Sequence, residues 1–155
     1  MRLDREWITA HIPHQGRMCL LDEVVSWSAT EIRCRSGSHR ATDNPLRAHG
    51  RLGAACGIEY AVQAMAIHGA LRSMQLQVAV RTGLLASVRS LTMNVDRLDD
   101  IEGDIFASAA HVHNDAAMTL YEFNVSDATR ALLVGRATIA FGPTPTGWPA
   151  GGMQP

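Results

Sequence analysis

Lysine is missing from this chain: all fourteen basic residues are arginines. That excludes Schiff-base chemistry on a lysine and the lysine of a P-loop, and no glycine-rich phosphate-loop run occurs. Cysteine is scarce. Cys19, Cys34 and Cys56 are odd in number and widely spaced, which fits neither a zinc pattern nor a disulfide framework. Reduced thiols in a cytoplasmic protein are expected, with no metal and no cofactor. Neither charge dominates, the formal net charge being −1, so nothing electrostatic points to nucleic acid. The first fourteen residues carry charges but no apolar core segment, so no secretory signal is expected. With 155 residues and 46% apolar content, one compact domain can bury a core without staples.

One stretch organises the rest. Residues 52–71, LGAACGIEYAVQAMAIHGAL, carry a single formal charge, Glu59, and are bracketed by Arg51 and Arg72. Apolar residues lie nearly all round a helix drawn on this segment, which marks it as a core helix. A membrane span is the poorer reading, because Glu, Gln and His interrupt a weakly hydrophobic, alanine-rich segment. A carboxylate in such a helix must be paired, protonated or useful, since burying an unpaired one costs several kcal/mol (roughly).

Around it the chain reads as strands. Residues 18–27 are β-rich and 30–36 alternate, with Ser28-Ala29 as the hairpin between them. Residues 37–50 are a loop containing Pro45, and the helix is expected to start near Gly53–Ala55 and end between Gly69 and Met74. Gly57 weakens it by about 1 kcal/mol relative to Ala and hints at close approach to the backbone. Four more strands are expected at 83–96, 103–113, 117–125 and 131–141, separated by turn-type residues. The economical packing is α+β: one long central helix wrapped by a six-strand antiparallel sheet over residues 1–142. Residues 143–155, rich in Pro and Gly, are expected to be a tail.

Two motifs carry a family likeness. The run from Pro13 to Asp22, PHQGRMCLLD, resembles the PHRxPxLLxDRV opening of FabA/FabZ-type 3-hydroxyacyl-carrier-protein dehydratases. The segment from Gly57 to Ala64, GIEYAVQA, is similar to their central-helix E-x-x-x-Q motif, and closer to the GIE-x-x-x-QA core of aryl-polyene and pigment-cluster dehydratases. Asn44-Pro45-Leu46 and Arg136-Ala137-Thr138 suit that branch. The resemblance covers roughly residues 12–142 and implies the hotdog fold. It also implies a homodimer or higher even oligomer, and dehydration of a 3-hydroxyacyl thioester held by acyl carrier protein or coenzyme A, in fatty-acid-like or polyene biosynthesis. One departure is plain: the family's HFPG histidine lies fourteen residues before the helix carboxylate, whereas His49 lies ten before Glu59.

Dehydration needs a base for the Cα proton, an acid for the departing hydroxyl and donors for the thioester oxygen. Glu59 is the expected acid and His49 the expected base, meeting across two subunits. Burial should raise the pKa of Glu59 and the helix N-terminus should lower it. Gly53, Ala54, Gly57 and Gln63 are the expected substrate contacts: the first three at a helix start whose free N–H groups can hold an oxyanion, Gln63 one turn beyond Glu59. His14 competes with His49 as base. Cys56 with His49 offers a nucleophile pair, an enoyl-hydratase likeness lies in residues 43–49, and a thioesterase would also use a helix carboxylate. A non-enzymatic subunit that binds carrier protein or an active dehydratase is the alternative from another class.

Overall fold

Asp4 opens the first helix, α1 (Arg5–His11), by accepting a hydrogen bond from the Trp7 N–H. In this computed structural model, which describes residues 1–142, a 3-10 turn (Gly16–Met18) follows, then strands β1 (Glu23–Trp27) and β2 (Glu31–Ser36). Strand one is shorter than its sequence suggested. The Leu20 N–H donates to Gln63 Oε1, and its carbonyl accepts from the Ser36 and Ser38 hydroxyls, so side chains of α2, the end of β2 and the loop after it take the bonds a backbone ladder would make.

A 3-10 turn (Ala54–Cys56) leads into the long helix α2 (Gly57–Leu76). It runs two residues past its expected end, and it stops where Gln77 takes φ 56° and returns its N–H to the Met74 and Ser73 carbonyls. Strands β3 (Leu84–Met93), β4 (Ile105–Asn114), β5 (Met118–Ser126) and β6 (Ala131–Ala140) match the four expected runs. All pairs are antiparallel, in the order β1-β2-β4-β5-β6-β3.

The sheet curls round α2, which packs on β2, β4 and β5. Tyr60, Ile67 and Leu71 from the helix are buried with Ile32, Ile105, Leu132 and Leu133 from the strands. Asn44 fixes the loop ahead of the helix. Its amide nitrogen donates to the Ser38 carbonyl and the Tyr60 hydroxyl, and its oxygen accepts from the Leu46 N–H. Asn-Pro-Leu thus ties loop to helix. The edge strand β3 is different: Leu84, Leu85, Leu91 and Met93 are exposed, and its pairing with β6 slips between Leu85 and Ser87 and again between Arg89 and Thr92, where Ser90 takes φ 53°. No helix among the described residues is long and apolar enough to cross a membrane. The expected tail, 143–155, lies outside the described residues.

Candidate active site

Glu59 stands in the first turn of α2. The loop after α1 brings His14 against it, with Nε2 3.3 Å from Glu59 Oε1. Both side chains are part-buried, 23% and 34% exposed, open enough for exchange with a ligand but shielded from full hydration. The placement is enforced from two sides. Gln15 Nε2 donates to the carbonyls of Thr9 and Ile12 at 2.8 and 3.2 Å, closing the loop onto α1. Gln63, fully buried, donates to the Met18 carbonyl at 2.6 Å and accepts from the Leu20 N–H at 2.9 Å. Gln63 therefore holds the loop carrying His14 onto the helix carrying Glu59.

The hydrogen bond from His14 holds the Glu59 carboxyl below its ordinary value; burial opposes this, and the charge of His14 and the Gln63 amide add to the lowering. An ionised Glu59 is an acceptor only, so Nε2 of a neutral His14 carries the hydrogen. Nδ1 is then the nitrogen with the unused lone pair, and it is buried with no partner among the described residues. A buried acceptor left unmade costs about 1–3 kcal/mol. His39 Nδ1 shares this condition among the described residues, so what distinguishes His14 is its contact with Glu59.

His14 also forms part of the wall of a cavity of about 280 Å³ that follows α2 along Val62, Met65, Ala66 and Gly69. That is close to the lower bound of roughly 300 Å³ for small-molecule sites. The opposite bank is the linker after α2 together with Leu85, Ile139 and Phe141. The cavity is not visible in the sequence, because its wall joins five separate segments.

The other residues singled out by sequence fall as follows. His49 sits exposed at the tip of a tight turn, Ala48–Arg51, with φ 54° followed by Gly50 at φ 75°. That backbone has the form of a type I′ hairpin turn, which the shortened loop makes possible. Within one chain Glu59 meets His14, not His49; a meeting with His49 needs a second chain. The expected oxyanion donors at the helix start are mostly spent: the Ala54 N–H donates to the Asp96 carbonyl at 3.0 Å and the Cys56 N–H to the Gly53 carbonyl at 3.0 Å. The second is the bond of a 3-10 turn and the first ties the chain ahead of α2 to residue 96, where an open helix end would leave donors free. Gly57 does mark a close approach, but by the core: a Cβ there would lie 2.8 Å from Leu133 Cδ2. Cys56 Sγ contacts the Leu46 carbonyl at 3.8 Å, and burial pushes its thiol up, which disfavours a thiolate nucleophile. His39 and His68 are fully buried and burial pushes both down, towards neutrality.

A long helix clasped by a six-strand antiparallel sheet, with its one carboxylate in the first turn, is the architecture of the hotdog class. Solved structures share it. The dehydratase heterocomplex ApeI:P from Xenorhabdus doucetiae aligns with a TM-score of 0.76 at 19% identity, covering 88% of this chain and 91% of that one. A thioesterase variant from Pseudomonas aeruginosa aligns at 0.62 and 16% identity, covering 90% and 94%. Zebra fish thioesterase superfamily member 2 gives 0.61 and 16%, covering 89% and 95%. At such identities the likeness is one of fold. No curated protein matches the sequence. The ApeP-like family, described as ApeP dehydratase, matches residues 7–145, and the chain belongs to that family of dehydratases.

Proposed function

We propose that this protein converts a 3-hydroxyacyl thioester to the 2-enoyl thioester, with His14 moving the proton and Glu59 acting as its counter-ion. The observation that carries this reading is the 3.3 Å contact between His14 and Glu59, made by a residue that also lines an apolar cavity. The thioester acidifies the Cα–H bond, and the His14 imidazole takes that proton. The imidazolium so formed lies against the Glu59 carboxylate, which stabilises it. The same proton then passes to the C3 hydroxyl, which leaves as water while the Cα–C3 double bond forms. In this reading Glu59 serves as counter-ion where the sequence suggested an acid, and the lowering of its carboxyl by the His14 hydrogen bond supports that role. Gln63 positions the pair; Gly53, Ala54 and Gly57 shape the helix start.

The carrier in this reading is acyl carrier protein or coenzyme A, and the compartment is the cytoplasm. A purified-protein assay following enoyl absorbance tests it: loss of turnover in His14→Ala with retention in His49→Ala supports the assignment, and the reverse overturns it. One observation favours a second reading. The β3 edge exposes Leu84, Leu91 and Met93 along an edge strand, a surface suited to pairing with another chain. In a homodimer His49 of one protomer could be offered to Glu59 of the other. In a mixed assembly this chain would be the supporting subunit of an active dehydratase. Light scattering together with turnover, alone and with a dehydratase partner, separates these.

A further inference from the structure

Beyond His14 the cavity changes character. Its far wall carries Arg72, Thr119 and Tyr121, and Arg81 stands on the linker side. Behind that wall lies a closed relay. His68 Nε2 bonds the Ser28 carbonyl at 2.8 Å, so Nε2 carries the hydrogen and the Tyr121 hydroxyl donates to Nδ1 at 2.7 Å. Thr119 donates to the His113 carbonyl at 3.2 Å and accepts from His111 Nε2 at 2.7 Å. Tyr121 and Thr119 thus have no hydrogen left for a ligand.

Arg72 is the exception. It is part-buried and makes no hydrogen bond or ion pair among the described residues. Burial first, and the charge of Arg72 after it, push His68 and His111 towards neutrality, while burial pushes Tyr121 up to about 12. No Asp or Glu lines the cavity among the described residues. Arg81 adds a second positive charge: it donates to the Ala116 carbonyl and stacks over Phe141 at 4.5 Å, which keeps it in place. An apolar channel with His14 in its wall therefore also carries the unneutralised guanidinium of Arg72. No carboxylate among the described lining residues balances it.

We infer that the far end of the cavity is an anion-selective subsite, in which Arg72 takes an oxygen-rich anionic group borne by an apolar chain. From Val62 to Arg72 the helix rises about 15 Å, which sets the length of chain between the group at His14 and the anion. A planar guanidinium suits a carboxylate or a phosphate, both of which accept its paired N–H donors. Two sources supply that chemistry: a carboxylate at the distal end of the substrate's acyl chain, or the phosphate of a pantetheine arm lying in the channel. Placing the reacting end at His14 rests on the dehydratase reading; the anion preference does not.

Calorimetric titration tests it without turnover, using decanoate, its neutral methyl ester and 4′-phosphopantetheine. Wild type should bind decanoate about tenfold or more tightly than the ester, the worth of a charge-assisted hydrogen bond. Arg72→Gln should remove that preference and leave ester binding unchanged, and Arg72→Lys should restore part of it. Arg72-dependent binding of phosphopantetheine assigns the anion to the carrier arm; dependence for decanoate alone assigns it to the acyl chain. Equal binding of acid and ester by wild type, or an undiminished preference in a folded Arg72→Gln, overturns the inference. A preference that survives in a protein inactive on every 3-hydroxyacyl thioester would sink the dehydratase reading and leave the anion site standing.

Discussion

If His14 and Glu59 work as one unit, their losses must not add. The structure sets the size of each. Removing the imidazole in His14→Ala deletes the base, an effect of about 10²–10⁴ in kcat. Glu59→Gln keeps the shape but deletes the counter-ion of the imidazolium. Unit charges about 4 Å apart interact by ~4 kcal/mol at an effective dielectric of 20. With Glu59 34% exposed and His14 23% exposed, solvent and salt screen much of that. A net of about 1–2 kcal/mol is reasonable, or about fivefold to thirtyfold in kcat. The double variant should then be no slower than His14→Ala, because a counter-ion has no work once the imidazolium cannot form. Enoyl absorbance on a 3-hydroxyacyl carrier-protein substrate reads all four proteins, with thermal unfolding as the check on folding. Full additivity would show that the two groups act separately, and the pairing would be structural. A Glu59→Gln loss as deep as that of His14→Ala would return Glu59 to the role of acid.

Gly57→Ala sets two effects against each other: a gain of about 1 kcal/mol in helix propensity against the overpacking of Leu133, worth about 1–3 kcal/mol. Since Leu98 and Val125 close the same space at 3.6 and 3.7 Å, overpacking should win, and chemical denaturation should show a net loss. Asp99 gives a pH test. The Arg97 guanidinium holds its carboxyl well below the usual range, and the Leu52 N–H bonds it at 2.9 Å, pinning the chain ahead of α2. A folded pKa below the unfolded ~3.9 adds stability that is complete above that value and is lost as pH falls through the folded one. Wild type should therefore lose more stability than Asp99→Asn between pH 5 and pH 2 (approximate limits), and parallel melting curves across that range would refute it. Burial pushes the Cys34 thiol up to about 12. Iodoacetamide at mildly alkaline pH should leave Cys34 unmodified in the native protein and label it only after unfolding, as peptide mass spectrometry would report.

The fold was legible because its signals are local. A helix apolar on all faces can only be wrapped, and the strands after it are separated by Gly, Asn and Asp at their turns. Where prediction slipped, a side chain from elsewhere had intervened. Residues 18–22 look like strand, but Gln63 and the serines at 36 and 38 take the hydrogen bonds of Leu20. Gln77 caps α2 in a left-handed conformation without the glycine that would announce it. Gly57 was rightly read as a close approach, yet the sequence could not say whether a ligand or Leu133 was the visitor.

The site was legible in its parts rather than in its pairing. Glu59 stands out by being the lone charge in twenty residues. Its partner does not, because His14 and His49 are both histidines in loops, and spacing along the chain favours the nearer one. Within one chain the backbone sets the two apart. A turn with two consecutive positive φ values carries His49 out to solvent, while Gln15 and Gln63 fold the loop of His14 back over the helix. Arg72 was still harder to weigh, since a cation closing an apolar stretch reads as a helix terminus. Only the sheet shows that the wall beside it holds Tyr121 and Thr119, whose hydroxyl hydrogens are already committed, and no acid among the described residues. The long-range hydrogen bonds of Gln63, spanning 43 and 45 residues, hold the key contact. A Gln63→Leu variant would keep the helix and its apolar volume but release that loop. Activity should therefore fall with Glu59 and His14 both intact, which is the behaviour of a positioning residue.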